Sequence, residues 1–130
     1  MQGRHIFSAL VLITTLLTAC GEDSPIVSGE IHSPGGQPHP LSERQVALLN
    51  SWIDGHRSGW SDLVLATPPQ EDLSVIVHRQ NGESGSLSFY PQPGWRGALM
   101  YWGTRPKQNK QGGFPAEQVS FLRDQLSLPQ

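Results

Sequence analysis

The chain has almost no cysteine, little fixed charge and no long apolar run, and each shortage excludes something. A single cysteine, Cys20, stands among 130 residues, so no intrachain disulfide can staple the fold and packing must hold it together. Charged residues make up only 15%, with nine Lys and Arg against eleven Asp and Glu for a net charge of −2. The cations are scattered along the sequence, and no basic run matches a row of phosphates, so nucleic acid is not an expected partner. The longest apolar stretch, residues 6–19, falls short of the roughly 20 residues that a membrane-spanning helix needs. The glycine pairs at 35–36 and 112–113 lack the lysine and helix context of a phosphate-binding loop. What is present is 14 Gly, 11 Pro, four Trp and 36% hydrophobic residues, the composition of one small, turn-rich globular domain.

Residues 1–5 are polar with one arginine, and "IFSALVLITTLLTA" follows, which is the n-region and h-region order of an export signal. Leu17-Thr18-Ala19-Cys20 then resembles the lipobox of bacterial lipoproteins: an aliphatic residue, two small residues and cysteine. The resemblance covers about twenty residues. It implies removal of residues 1–19 as a signal peptide, acylation of the Cys20 thiol with chains of the palmitate type, and attachment to the cell envelope facing the periplasm. Two or three acyl chains make such an anchor stable, because one chain gives only marginal, reversible membrane binding. Gly21 rather than Asp after the cysteine implies, by the same resemblance, the outer more than the inner membrane. No family resemblance is found for the remainder.

Residues 20–40 are expected to be the lipidated cysteine and a flexible tether. "GEDSPIVSGEIHSPGGQPHP" holds four Gly and four Pro but only three aliphatic residues, Ile26, Val27 and Ile31. A flexible coil of that length spans roughly 25 Å. His32 and His39 fall in it without further ligands, so no metal site and no cofactor are expected.

Residues 41–130 are expected to form the folded domain. Ser42 and Gln45 have capping-box spacing between the flanking residues Leu41 and Val46, and Val46, Leu49 and Ile53 share one helical face up to about Gly59. "LSVIVHRQ", "SLSFY" and "ALMYWGT" alternate as strands joined by "NGESG" and by a bend around Pro91 to Gly97. Residues 103–113 read as an exposed loop, and Val119, Leu122 and Leu126 mark a second helix that opens at Pro115. The expected fold is therefore α+β, an α-β-β-β-α unit with a three-stranded antiparallel sheet and both helices on one face.

Two readings of function follow. The first is a lipid-anchored binding module of inhibitor, immunity or assembly-accessory type, not an enzyme, which engages an envelope protein or cell-wall component. Its contact residues would be Trp95, Arg96, Tyr101 and Trp102, because exposed aromatic side chains and arginine carry interface energy disproportionately. The second is a small cell-wall hydrolase that uses His56 or His78 with Asp62 or Asp72. A histidine and a carboxylate meeting in a concavity would favour the second. An exposed aromatic patch would favour the first.

Overall fold

The computed structural model describes residues 24–63 and 69–127. Cys20 and the signal segment lie outside the described residues, as does the end of the apolar run Leu63-Val64-Leu65. The fold is α+β, but the three-stranded sheet is corrected: the described residues form one antiparallel sheet of seven strands. In chain order these are β1 (Ile26–His32), β2 (His39–Pro40), β3 (Trp60–Asp62), β4 (Leu73–Arg79), β5 (Ser84–Phe89), β6 (Ala98–Gly103) and β7 (Lys110–Gly113). Helix α1 (Glu43–Gly55) lies between β2 and β3, and α2 (Ala116–Ser127) closes the chain. Their order across the sheet is β2-β1-β4-β5-β6-β7-β3.

The first correction concerns the stretch read as a tether. β1 pairs with β4 from Ile26 opposite Arg79 to His32 opposite Ser74, with a register shift between Ile26 and Ser28. Ile26 and Ile31 are five residues apart, which in a regular strand sends them to opposite faces. The bulge adds one residue and reverses that parity, so both side chains enter the core. Val27 takes the outward position and is 54% exposed. Gly29 lies so close to β4 and Leu41 that an added Cβ would stand 2.2 Å from the Ile76 carbonyl oxygen.

The outer edge of β1 is also closed. The Ile26 N–H donates to Asn50 Oδ1 and Asn50 Nδ2 donates to the Ile26 carbonyl, each at 2.9 Å. The Leu41 N–H donates to the Gly29 carbonyl, and β2 pairs at Glu30 and Ile31. A side-chain amide thus stands in for a neighbouring strand, which removes an open edge that another chain could extend.

The second correction concerns 103–113. This segment contains a short 3-10 turn, Pro106–Gln108, and then β7, which pairs with β6 on one side and β3 on the other. Trp60 begins β3. Its ring packs edge-on to Phe114 with centroids 5.2 Å apart, and its indole N–H donates to the His56 carbonyl at 2.9 Å.

The central meander follows the alternation in the sequence. Between β4 and β5, Gln80, Asn81 and Gly82 make a three-residue turn in which Gly82 takes the left-handed conformation (φ 93°) and Arg79 pairs with Glu83. The inward residues of these strands, Leu73, Val75, Val77, Leu87, Phe89 and Leu99, meet Leu49 and Trp52 of α1 and Val119, Leu122 and Leu126 of α2 in one core. The capping box at Ser42 and Gln45 is present. Gln45 is buried as well, and its Nε2 donates to the Leu126 and Gln125 carbonyls at the end of α2. Among the described residues no helix is long and apolar enough to cross a membrane.

Candidate functional site

Helix α1 lies against β1 and α2 against β6, and part of the inner sheet face beyond the end of α1 is left open. Register explains which side chains occupy the open part. Leu87, Tyr101, Lys110 and Asp62 stand opposite one another on successive strands and so project to the same side as Val75 and the core. They lie in an open cleft of about 870 Å³, bounded also by Ile53 and Arg57 near the end of α1, by the 79–84 turn and by residues 105–108. Leu87 is buried beneath it, and Tyr101 lies flat across Gly85, where an added Cβ would stand 2.1 Å from the phenol oxygen.

Cations dominate the rim. Arg57, Arg79, Arg105, Lys107 and Lys110 line the cleft, five of the nine Lys and Arg in the chain, against two carboxylates, Asp62 and Glu83. Arg57 is itself paired at 2.8 Å with Asp54, just outside the lining, so a protein of net charge −2 keeps a local excess of two positive charges here, and such focusing attracts anions. The two carboxylates of the cleft pair with two of these cations and fix their positions. Lys110 Nζ donates to Asp62 at 2.5 Å, and that contact holds the Asp62 carboxyl below the usual carboxylate range. Arg105 and Gln108 both donate to Glu83 Oε2 at 3.2 Å, tying the two loops that flank the cleft. Arg79 lies over the Tyr101 ring at 5.5 Å and donates through Nη1 to the Ser24 carbonyl at 2.5 Å. An arginine held against an aromatic face keeps its charge and loses little further freedom when it takes an anion.

The sequence-predicted contact residues do not form one patch. Tyr101 enters the cleft, while Trp102, its neighbour on β6, points to the other face of the sheet, as strand alternation requires. On that outer face Tyr90 packs against Trp95 with centroids 5.5 Å apart. Arg96 is exposed beside Trp95. Tyr90 is buried in this second, smaller cluster, and burial raises its phenol pKa above the ordinary value. The unfolded chain therefore ionises first as pH rises past about 10, and stability falls from there until the folded phenol also ionises. Unfolding midpoints in urea between pH 9 and 11 should decline more steeply in the native chain than in Tyr90→Phe.

The four residues of the hydrolase reading are dispersed. His56 Nδ1 donates to the Trp52 carbonyl at 2.7 Å, Nε2 lies 2.8 Å from Gln118 Oε1, and the ring stacks on Trp52 at 3.8 Å. This imidazole caps α1 and ties it to α2. His78 is exposed on the outer face and bonds Ser84 Oγ. Asp72 is held by Arg123 of α2 at 2.5 Å, and Asp62 by Lys110. Among the described residues no group of three or more His, Cys, Asp or Glu could hold a metal ion.

Sequence reasoning missed the cleft because its cations sit at positions 57, 79, 105, 107 and 110, on four different connections and strands. Only strand order and register gather them. The one signal available was "TRPKQNK", three cations within seven residues. No family model, curated protein or solved structure matches the chain.

Proposed function

We propose that the chain is a lipid-anchored protein of the bacterial cell envelope, held through Cys20 and facing the periplasm, that works as a small binding module. Its working surface is the cationic cleft, and its ligand is an anionic group of an envelope component. The observation that carries this reading is the gathering of five cations around the apolar floor of Leu87, Tyr101 and Ile53. A binding site of this kind combines a mostly apolar floor with a few fixed polar groups, and these are supplied here by rigid strands and a braced arginine. On the outer face Tyr90 and Trp95 pack on each other, which leaves them a lesser part in recognition.

Two measurements test the reading. Cys20→Ala should leave an uncleaved precursor that takes up no labelled palmitate, and cleavage with palmitate incorporation at native levels in that variant would contradict the anchor. The unacylated mature chain, titrated with tripolyphosphate, should show amide NMR shifts at Ser61, Ser84 and Gln108. Shifts confined to residues 90–97, or none at all, would contradict the cleft.

A further inference from the structure

The length of chain between the anchor and the fold decides where the cleft sits. Ser24 is buried, its Oγ accepts from the Asn81 N–H at 3.1 Å, and its carbonyl accepts from Arg79. The next residue, Pro25, accepts from the Gln80 N–H at 2.9 Å. The N-terminal end of the described chain is therefore fastened to the 79–84 turn, which is one wall of the cleft. Four residue steps separate Ser24 from Cys20, a span of roughly 14 Å at full extension. The domain cannot hang far from the lipid on a twenty-residue spacer, because β1 has taken up most of that spacer.

We infer that the cleft docks on the membrane in which Cys20 is anchored and takes the phosphate groups of anionic lipids in that leaflet. This rests on the proposed anchor and on the cleft being the binding surface. Charge complementarity and the short leash act together: Arg79, which fastens Ser24, is itself one of the five cleft cations, so the anchor leaves the fold beside the positive rim. Each cation near an anionic leaflet adds attraction that falls off within a Debye length, about 8–10 Å, and the leash keeps the rim near that range. Docked this way, the module presents its outer sheet face, with His78 and Trp102, away from the lipid.

The test uses the mature chain from residue 20 with Cys20→Ser, so that no acyl chain drives binding. It is run against vesicles of pure phosphatidylcholine and vesicles with about 30% phosphatidylglycerol. Binding should be at least about tenfold stronger to the anionic vesicles and should weaken as salt rises. Lys107→Glu should remove most of that preference, whereas Arg44→Glu, the same charge change at an exposed position on α1 outside the cleft, should retain it. Equal loss in both variants would overturn the proposal, since net charge and not the cleft would then govern binding. Absence of any preference for anionic vesicles would also overturn it. If tripolyphosphate still shifted the cleft amides in that case, the cleft would remain a site for a free or protein-borne anion, and only the lipid assignment would fall.

Discussion

A chain that begins at Leu41 is expected to show no cooperative unfolding transition, whereas one that begins at Gly21 unfolds cooperatively. The shorter chain keeps every element that the sequence marks clearly, so the difference isolates residues 21–40, which is β1 with the Ser24 and Pro25 contacts before it and the two-residue β2 after it. Removing β1 exposes the full edge of β4 along a ladder that runs from Ile26 opposite Arg79 to His32 opposite Ser74. It deletes two buried isoleucines, each worth about 1.5–3 kcal/mol in burial. It also strands Asn50, whose side-chain amide bonds both backbone groups of Ile26, and frees Arg79 from Ser24. Backbone hydrogen bonds contribute about 0.5–1.5 kcal/mol net each, so the combined loss is comparable with the roughly 5–15 kcal/mol total stability of a small domain. Urea titration followed by tryptophan fluorescence and far-UV circular dichroism reads the result. A coincident, cooperative transition in the Leu41 chain near the native midpoint would show β1 to be dispensable. Within the intact chain, Ile31→Ala should cost about 2–4 kcal/mol on the same assay.

Gln45→Glu is the second large effect, about 3 kcal/mol of lost stability at pH 7. The substitution keeps nearly the same shape and keeps an oxygen to accept from the Ser42 N–H, which Gln45 Oε1 does at 3.0 Å. The loss arises on the other side of the side chain. Nε2 donates to the Leu126 carbonyl at 3.2 Å and more weakly to Gln125, two of the carbonyls that a helix leaves without partners in its last turn. A carboxylate oxygen there faces two acceptors, and the position is 3% exposed, so water cannot relieve the repulsion. The pH dependence has a definite sign. Burial against two carbonyl oxygens raises the pKa of the introduced carboxyl in the folded state, so the folded variant holds the proton more tightly than the unfolded variant. The deficit relative to the native chain therefore shrinks as pH falls toward about 4.3, the ordinary glutamate value, and is full above the folded pKa. Ser42→Ala, which removes only the cap, should cost nearer 1 kcal/mol (about that figure for a lost cap) with no such pH dependence. Equal costs for the two variants would mean that Gln45 acts as a cap alone and not as the link between α1 and α2.

These cases show why some of the fold is legible in the sequence and some is not. α1 is announced by its capping box and its helical stripe, and β4, β5 and β6 by strict alternation around an Asn-Gly turn. Such signals are local, and each element carries its own. β1 hides because Ile26 and Ile31 have the wrong spacing for one face until a bulge corrects it, and a bulge is made in pairing with β4. β7 hides for another reason. "KQGG" has no β-branched or aromatic residue, and it is a strand because β6 and β3 flank it and because Gly112 leaves room for the Phe114 and Trp60 rings. The candidate site belongs to the same class of hidden feature. Tyr101 is marked by its residue type and does line the cleft, but Trp95, Arg96 and Trp102, marked by the same rule, lie elsewhere. The cations that define the concavity carry no joint signal along the chain, since their meeting depends on strands that the sequence conceals.

The most direct test of the central claim, that the cleft is the occupied surface of an envelope-anchored module, uses the protein's shortage of cysteine. With Cys20 acylated, the mature chain offers no other thiol, so a single introduced cysteine reports on its own position. Asn81→Cys on the wall of the cleft, which removes none of its cations, and His78→Cys on the outer face are both exposed positions in the isolated domain. A membrane-impermeant maleimide applied to opened envelopes should label the thiol at position 78 readily and the thiol at position 81 several-fold more slowly, with the two rates equal in the unacylated soluble chain. Equal labelling of both positions in the envelope, or protection of position 78 instead, would contradict the assignment of the cleft as the working surface.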